Sequence, residues 1–172
     1  MDERIELLDH EHVRVAVTDA DKPGAEYLPA RRIRNNEWLL LRSPLYAMGV
    51  AAGDVVNVLD SEAGEIEIVT RGPNVCVQFY LREQDANDAQ ATEAVARLME
   101  LSMASIGGRV DGKTPGLISF TVPVAVGFPV IEQIFEDSVR RFPGAEWQYS
   151  NVYDLNSGEP IGWWESHAVR KE

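Results

Sequence analysis

The sequence predicts an α+β protein, with a small N-terminal β-barrel or sandwich followed by a ferredoxin-like βαββαβ unit. Two observations support this class. Residues 1–72 contain short segments of alternating apolar and polar side chains without helical periodicity, which predicts an all-β, barrel-like domain. Residues 73–172 contain two amphipathic helical patterns between strand-like runs, which predicts a ferredoxin-like α+β domain. The turn sequence R-G-P-N marks the boundary between them.

Five short strands are predicted in the first half. The first is followed by two hairpins, whose turns are Asn35-Asn36 and the sequence S-E-A-G. Between the hairpins, residues 44–58 (P-L-Y-A-M-G-V-A-A-G-D-V-V-N-V) contain two glycines and no regular period, which predicts a tight corner around which the chain is organised. The predicted strands are Val13–Val17, Tyr27–Ile33, Glu37–Arg42, Val55–Leu59 and Glu65–Val69.

The second half alternates strands with two helices. Asn87 or Asp88 is predicted to cap a helix that ends near Ile106. A second helix is predicted to begin at Pro129 and to stop before Pro143-Gly144. Residues 161–167 are predicted to add an extra C-terminal strand beside the last strand. The inward face of the first helix is expected to carry Val95, Leu98, Leu101 and Ser102.

Net charge is the strongest compositional feature. The formal charge is -12, and residues 1–75 and 76–172 each contain 14 acidic and 8 basic side chains. This distributed charge repels nucleic acid and anionic membranes and favours a basic protein partner. Solubility alone is an equally good explanation of the charge. The single cysteine, the lack of a signal-peptide pattern at the N-terminus and the lack of an apolar run of about 18 residues predict a cytoplasmic protein. The sequence does not indicate an oligomeric state.

No motif in the chain carries a recognisable chemistry. His10 and His12 flank Glu11, but His167 lies far away in sequence, so surface histidines are a better interpretation than a metal site. Cys76 lies in an apolar strand, where burial raises a thiol pKa. No nucleophile elbow or P-loop is present. We therefore predict no catalytic residue, metal ligand or cofactor, and we favour a non-enzymatic function over an enzymatic one.

Aromatic and acidic side chains together suggest a binding surface. Carboxylates steer a basic partner, while aromatic rings supply contact area. On a strand, two adjacent tryptophans would point to opposite faces, and the sequence does not decide between sheet-edge cover and an interface. The predicted partner-binding residues are Glu62, Glu65, Glu67, Trp163, Trp164 and Glu165.

Residues 30–58 read A-R-R-I-R-N-N-E-W-L-L-L-R-S-P-L-Y-A-M-G-V-A-A-G-D-V-V-N-V. This segment resembles the core motif of a bacterial family known as domain of unknown function four-two-six-five. The helix–strand–helix–strand portion after Val75 resembles that family's second half, so the resemblance covers about residues 13–155. It implies no activity and no catalytic residue. Small acidic members of such families sometimes resemble immunity proteins, which neutralise a toxin made by the same or a neighbouring cell.

We therefore expect a non-enzymatic, acidic protein-binding module, most concretely an immunity protein or antitoxin that occludes a basic toxin domain. A second hypothesis is a small-molecule binder or hydrolytic enzyme with a carboxylate-lined cleft between the two halves, using Asp54 or Glu37. A third is an RNA-binding regulator that stacks bases on aromatic side chains of the second sheet. The aromatic candidates are Phe79, Tyr80 and Phe120.

Overall fold

The computed structural model describes residues 11–17 and 24–167 and shows an α+β protein with two antiparallel sheets and two α-helices. The predicted class is confirmed at this level. His10 lies outside the described residues, as does part of the turn before β2. No helix in the described part of the chain is long and apolar enough to cross a membrane.

The first sheet contains five strands in chain order, β1 to β5. Over the described residues it is a single sheet that does not close into the predicted barrel, because edge strands β1 and β5 approach each other mainly where the Ala16 amide donates to the Gly64 carbonyl at 3.0 Å. Asn35, at φ 31°, makes the predicted turn between β2 and β3. The strands are β1 (Glu11–Val17), β2 (Gly24–Arg34), β3 (Glu37–Leu40), β4 (Val55–Asp60) and β5 (Glu65–Thr70).

Strand alternation decides which side chains of this sheet face the core. Ile66 and Ile68 pack against the buried cluster, whereas Glu65 and Glu67 are exposed, as predicted. The buried apolar side chains of this cluster are Val13, Val15, Leu28, Ala30, Leu40, Ala47, Val50 and Val56.

The second sheet has the strand order β7-β8-β6-β9, and all its neighbouring strands are antiparallel. Apolar side chains that alternate along these strands pack against both helices and form a second hydrophobic cluster. Its elements are β6 (Asn74–Tyr80), α1 (Ala89–Ala104), β7 (Arg109–Thr114), β8 (Leu117–Pro123), α2 (Phe128–Arg141) and β9 (Glu146–Tyr149). Short 3-10 helices cover Glu83–Asp85, Val124–Val126 and Trp163–His167.

Helix α1 begins as predicted but turns a different face inward. Its buried side chains are spaced three and four residues apart, which places them on one stripe. Val95 lies on this stripe, but Leu98, Leu101 and Ser102 are exposed, so the predicted inward face was wrong for these three residues. The inward face of α1 includes a polar residue, Thr92, which is buried because its hydroxyl accepts a hydrogen bond from the Gly116 amide at 2.8 Å. A pattern of large apolar side chains alone does not identify this face.

Asp88 is the N-cap of α1, and its carboxylate accepts from the Ala91 amide at 2.9 Å. Replacing Asp88 with alanine leaves this amide without its cap, so the free energy of unfolding should fall by about 1 kcal/mol. Urea denaturation measures this change. Asn87→Ala, at the other candidate position, should have little effect, and equal losses would contradict the assignment.

The C-terminal region differs from the predicted extra strand. Tyr153 and Pro160 form an isolated bridge, and residues Trp163–His167 then form a 3-10 helix. Gly158 and Gly162 both have positive φ values, which turn the chain twice within a few residues. These turns prevent the extended run that a paired strand requires.

Residues 41–54 connect β3 to β4 and pack between the two halves. They cover the face of the second sheet opposite the helices, where polar side chains alternate with the apolar core positions. Gln78 donates from Nε2 to the Leu45 carbonyl at 2.8 Å, and the Gly49 amide donates to the Ser150 carbonyl at 2.7 Å. Gly49 and Gly53 have φ values of 88° and 92°, which confirms the predicted corner.

Candidate protein-binding surface

Three of the predicted partner-binding residues lie on the hairpin formed by β4 and β5. Glu65 and Glu67 project from β5, and Glu62 lies in the turn. The Asp60 carboxylate shapes this turn by accepting from the amides of Glu62 and Ala63, both at 2.9 Å. The sequence therefore folds locally into a rigid turn that presents carboxylates to solvent.

Two exposed apolar side chains lie on this hairpin. Leu59 is 58% exposed and Val69 is 47% exposed, and each is the unpaired residue at a β-bulge between β4 and β5. Among the described residues, neither Glu65 nor Glu67 forms an ion pair. We call Leu59, Glu62, Glu65, Glu67 and Val69 the hairpin patch. Leu59 and Val69 are not among the predicted residues, because the β-bulges that expose them have no signal in the local sequence.

The two predicted tryptophans are partly buried in the protein's own packing. Trp163 donates from Nε1 to the Asn151 carbonyl at 2.7 Å. Trp164 packs edge-on against Phe128, with ring centroids 5.1 Å apart. Both tryptophans pack against the second hydrophobic cluster, while Glu165 remains exposed. This arrangement corresponds to the edge-cover alternative, and it leaves only part of each ring accessible.

The structure does not bring all six predicted residues into one surface. The Trp163–His167 segment lies beside Arg71, whose carbonyl is 3.0 Å from His167 Nε2 and whose guanidinium lies 6.0 Å from the Trp163 ring. Arg71 follows the last residue of β5, whereas Glu62 precedes the first. Six residues of strand span about 20 Å, so the acidic turn and the aromatic segment lie at opposite ends of β5.

Asp54 and Glu37, the carboxylates of the enzyme hypothesis, both bind other groups of the protein. Asp54 is fully buried and accepts from the amides of Gly72 at 2.8 Å and Ala51 at 2.9 Å. Arg71 forms an ion pair with it at 3.4 Å. Burial raises the pKa of Asp54, against the opposing effects of these hydrogen bonds and of Arg71. Glu37 pairs with Arg34 at 3.1 Å. Neither side chain is among the described residues that line the cleft of about 490 Å³ between the two halves.

A cleft of about 490 Å³ does lie between the two halves. Glu26 and Asp111 line it, but both carboxylates already have protein partners. Glu26 accepts from the amides of residues 45–47 at 2.7, 2.9 and 3.0 Å. Asp111 accepts from the Ser43 amide at 2.7 Å and pairs with Arg109 at 2.6 Å. These carboxylates therefore hold the corner in place.

The candidate thiol and two of the candidate aromatic rings are buried in the protein interior. Cys76 is fully buried, and burial raises its pKa to about 12, so its thiol stays protonated and shielded. Phe79 and Phe120 are completely buried in the second cluster, so the predicted base-stacking on these two rings was wrong. Within the described ranges, no three His, Cys, Asp or Glu side chains are grouped as metal ligands would be.

Comparison with known proteins identifies the family. The model of the family described as Domain of unknown function (DUF4265) matches residues 26–142, more than half of the chain. The chain belongs to this family. The DUF4265 match runs from β2 through α2 and therefore includes the corner and all strands of both sheets except β1 and β9. The predicted family is confirmed, and its description assigns no activity.

A solved structure shares the fold of this DUF4265 member. It is described as a novel crystal structure of a hypothetical protein from Neisseria gonorrhoeae, and it superposes with a TM-score of 0.62 at 12% sequence identity. The match covers 82% of this chain and 94% of that chain. No curated protein matches the sequence. At this identity the structural likeness establishes the fold alone.

Proposed function

We propose that this protein is a non-enzymatic, acidic protein-binding module, most concretely a cytoplasmic immunity protein that occludes a basic toxin domain. The hairpin patch is the single observation that supports this function best. It combines carboxylates that have no cation partner among the described residues with two exposed apolar side chains. Because no ion pair among the described residues neutralises Glu65 or Glu67, a basic partner can neutralise them on binding.

The two components of the patch have different physical roles. With a net charge of -12, the protein attracts a basic domain from a distance, and the carboxylates orient that partner as it approaches. Leu59 and Val69 then lose exposed apolar surface, which contributes about 25 cal/mol for each Å² buried. The Asp60-supported turn holds these groups in place before binding and thereby reduces the entropy that association costs.

The aromatic segment takes a supporting role in this proposal. Trp163 and Trp164 anchor residues 163–167 to the second cluster, and this position keeps Glu165 exposed at the other end of β5. Glu165 therefore extends the acidic field at the end of β5 opposite the acidic turn. The buried free thiol of Cys76 is consistent with the proposed cytoplasmic location.

The finer description of the fold is also a proposal. We infer that the second half is a ferredoxin-like unit. The element order β6-α1-β7-β8-α2-β9 and the strand order β7-β8-β6-β9 support this classification. The first half is better described as an open, curled sheet than as a barrel.

Charge reversal of the hairpin patch tests the proposed function. Affinity-tagged full-length protein, expressed in its native host, should retain one basic protein whose binding weakens as salt increases. The double variant Glu65→Lys/Glu67→Lys should weaken that purified complex at least about tenfold at low ionic strength, mainly through a slower association rate. Titration calorimetry measures the affinity, and stopped-flow fluorescence measures the rate.

The matched control is Glu83→Lys/Glu159→Lys, which changes the net charge equally at exposed positions outside the patch. This control should retain most of the affinity. Equal loss in both double variants would show that only overall charge matters, which would contradict a specific site. Retention of nucleic acid, or of no basic protein, would overturn the proposed function itself.

A further inference from the structure

We propose that the cleft between the two halves binds an extended peptide segment of a partner protein, and that main-chain hydrogen bonds to the outer edge of β7 hold this segment. The site is separate from the hairpin patch and does not depend on the function proposed above. It would make the protein a receptor for a short linear segment as well as for a basic surface.

The lining of the cleft shows that it follows the edges of strands. Four consecutive residues of β7 line it, Val110–Lys113, as do four consecutive residues of β2, Glu26–Pro29. Along β2 the side chains alternate between the two faces, so a cavity that contacts four residues in a row lies alongside that strand. On β7, Asp111 is the extra residue of a β-bulge and Gly112 has no side chain, so the cleft there reaches the backbone of the strand.

Both edges have backbone groups available for pairing. β7 is the outermost strand of its sheet, and residues 109–114 make no described backbone hydrogen bond apart from their ladder with β8. On β2, pairing with β3 begins at Ala30, and the Pro29 carbonyl accepts from the Leu41 amide at 2.9 Å, so residues 26–28 are the part of this edge without a strand beside it. Unpaired strand edges are templates for an added strand, and several peptide-binding domains recognise their ligands in this way.

The dimensions of the cleft fit a short extended segment. Four residues of β7 span about 13 Å, which matches a bound stretch of about four residues. A volume of about 490 Å³ lies within the range of ligand-binding cavities, roughly 300–1,000 Å³. Leu45, Val110 and the 61%-exposed Tyr27 provide apolar contacts for the side chains of that segment.

The charges of the lining determine the class of peptide. The Glu26 and Asp111 carboxylates are already occupied by protein donors. The exposed side chains of Arg42 and Glu100 face the cleft and form no described ion pair, so charges of both signs are available. This lining fits a charge-balanced segment with apolar side chains, and it distinguishes the cleft from the wholly acidic hairpin patch.

The test uses a phage-displayed library of random heptapeptides, panned against the purified full-length chain. A selected heptapeptide, synthesised with a fluorophore, should bind in an anisotropy assay. N-methylation of alternate backbone amides removes donors from one edge of the peptide, so one of the two alternating sets should weaken binding at least tenfold and the other should not. The peptide should also slow amide hydrogen exchange in residues 110–113.

Protein variants locate the site. Arg42→Trp places a large ring in the cleft at an exposed position and should weaken peptide binding at least tenfold. Arg31→Trp introduces the same ring at an exposed position outside the lining and should bind normally. The proposal is overturned if no heptapeptide is enriched, if both N-methylated sets bind equally, or if Arg42→Trp binds normally. Loss of binding in Glu65→Lys/Glu67→Lys with normal binding by Arg42→Trp would assign the peptide to the hairpin patch instead.

Discussion

Replacing Asp54 with alanine should lower the free energy of unfolding by about 3–5 kcal/mol, as expected when one member of a buried ion pair is removed. The change leaves the amides of Ala51 and Gly72 without acceptors and leaves Arg71 without its carboxylate partner. The Asp54 carboxylate also bridges the corner, at Ala51, and the segment after β5, at Gly72, so the substitution removes hydrogen bonds that hold these two segments together. Urea denaturation followed by tryptophan fluorescence measures the loss.

Asp60→Ala is the matched control for this prediction. Asp60 likewise accepts two backbone amides, but it is exposed on the hairpin, where water can replace the lost hydrogen bonds. Its replacement should cost less than about 1 kcal/mol. Similar costs for Asp54→Ala and Asp60→Ala would contradict the view that burial makes the Asp54 network important.

The pH dependence of stability provides a second readout for Asp54. Burial raises its folded-state pKa above the ordinary value of 3.8, so the folded protein retains a proton that the unfolded chain releases. The resulting stabilisation is full below pH 3.8 and disappears as the pH rises through the higher folded-state pKa. Asp54→Asn, which cannot ionise, should lack this pH-dependent contribution. An unchanged difference between wild type and Asp54→Asn across that window would contradict the raised pKa.

The corner around Asp54 shows which parts of the fold follow from local sequence. Gly-Asp before two valines predicted a turn leading into a strand, and the positive φ of Gly53 and the Asp54 contact to Ala51 confirm it. The contact to Gly72, 18 residues away, could not be predicted, because it depends on how the two sheets meet. A Cβ atom on Gly72 would lie 2.4 Å from the Gly53 carbonyl carbon, a proximity without a local sequence signal.

The candidate surface likewise combines features that local sequence predicts with contacts between residues distant in sequence. The pattern E-I-E-I predicted the exposure of Glu65 and Glu67 correctly, because alternation in a strand is a local property. The position of Trp163 relative to these glutamates was not predictable from composition. It depends on two glycine turns and on a hydrogen bond to Asn151, and these place the aromatic segment at the far end of β5. Likewise, the cleft between the two halves forms where residues distant in sequence pack together.

The second hydrophobic cluster depends strongly on Phe135 of α2, which is fully buried. Its ring centroid lies 5.3 Å from that of Phe120 in an edge arrangement and 5.3 Å from that of Trp147 in a stacked arrangement. Phe135→Ala should therefore lower the free energy of unfolding by about 3–5 kcal/mol, because it removes apolar contacts and leaves a cavity. Urea denaturation measures this loss, and the fluorescence of Trp147 should change with its altered packing.

Phe142→Ala is the matched control, because it also removes a phenyl ring from the region of α2. The comparison of the two free energies of unfolding isolates the effect of burial. Phe142 is partly exposed and packs at the margin of the same cluster, so its replacement removes less contact area and opens less of a cavity. Its cost should be about 1–2 kcal/mol, below that of Phe135→Ala. A larger loss for Phe142→Ala would place the stabilising contacts of α2 at its end rather than under its centre. Phe135→Leu, which retains most of the apolar volume, should recover more than half of the loss in Phe135→Ala, because the cavity is the main cost.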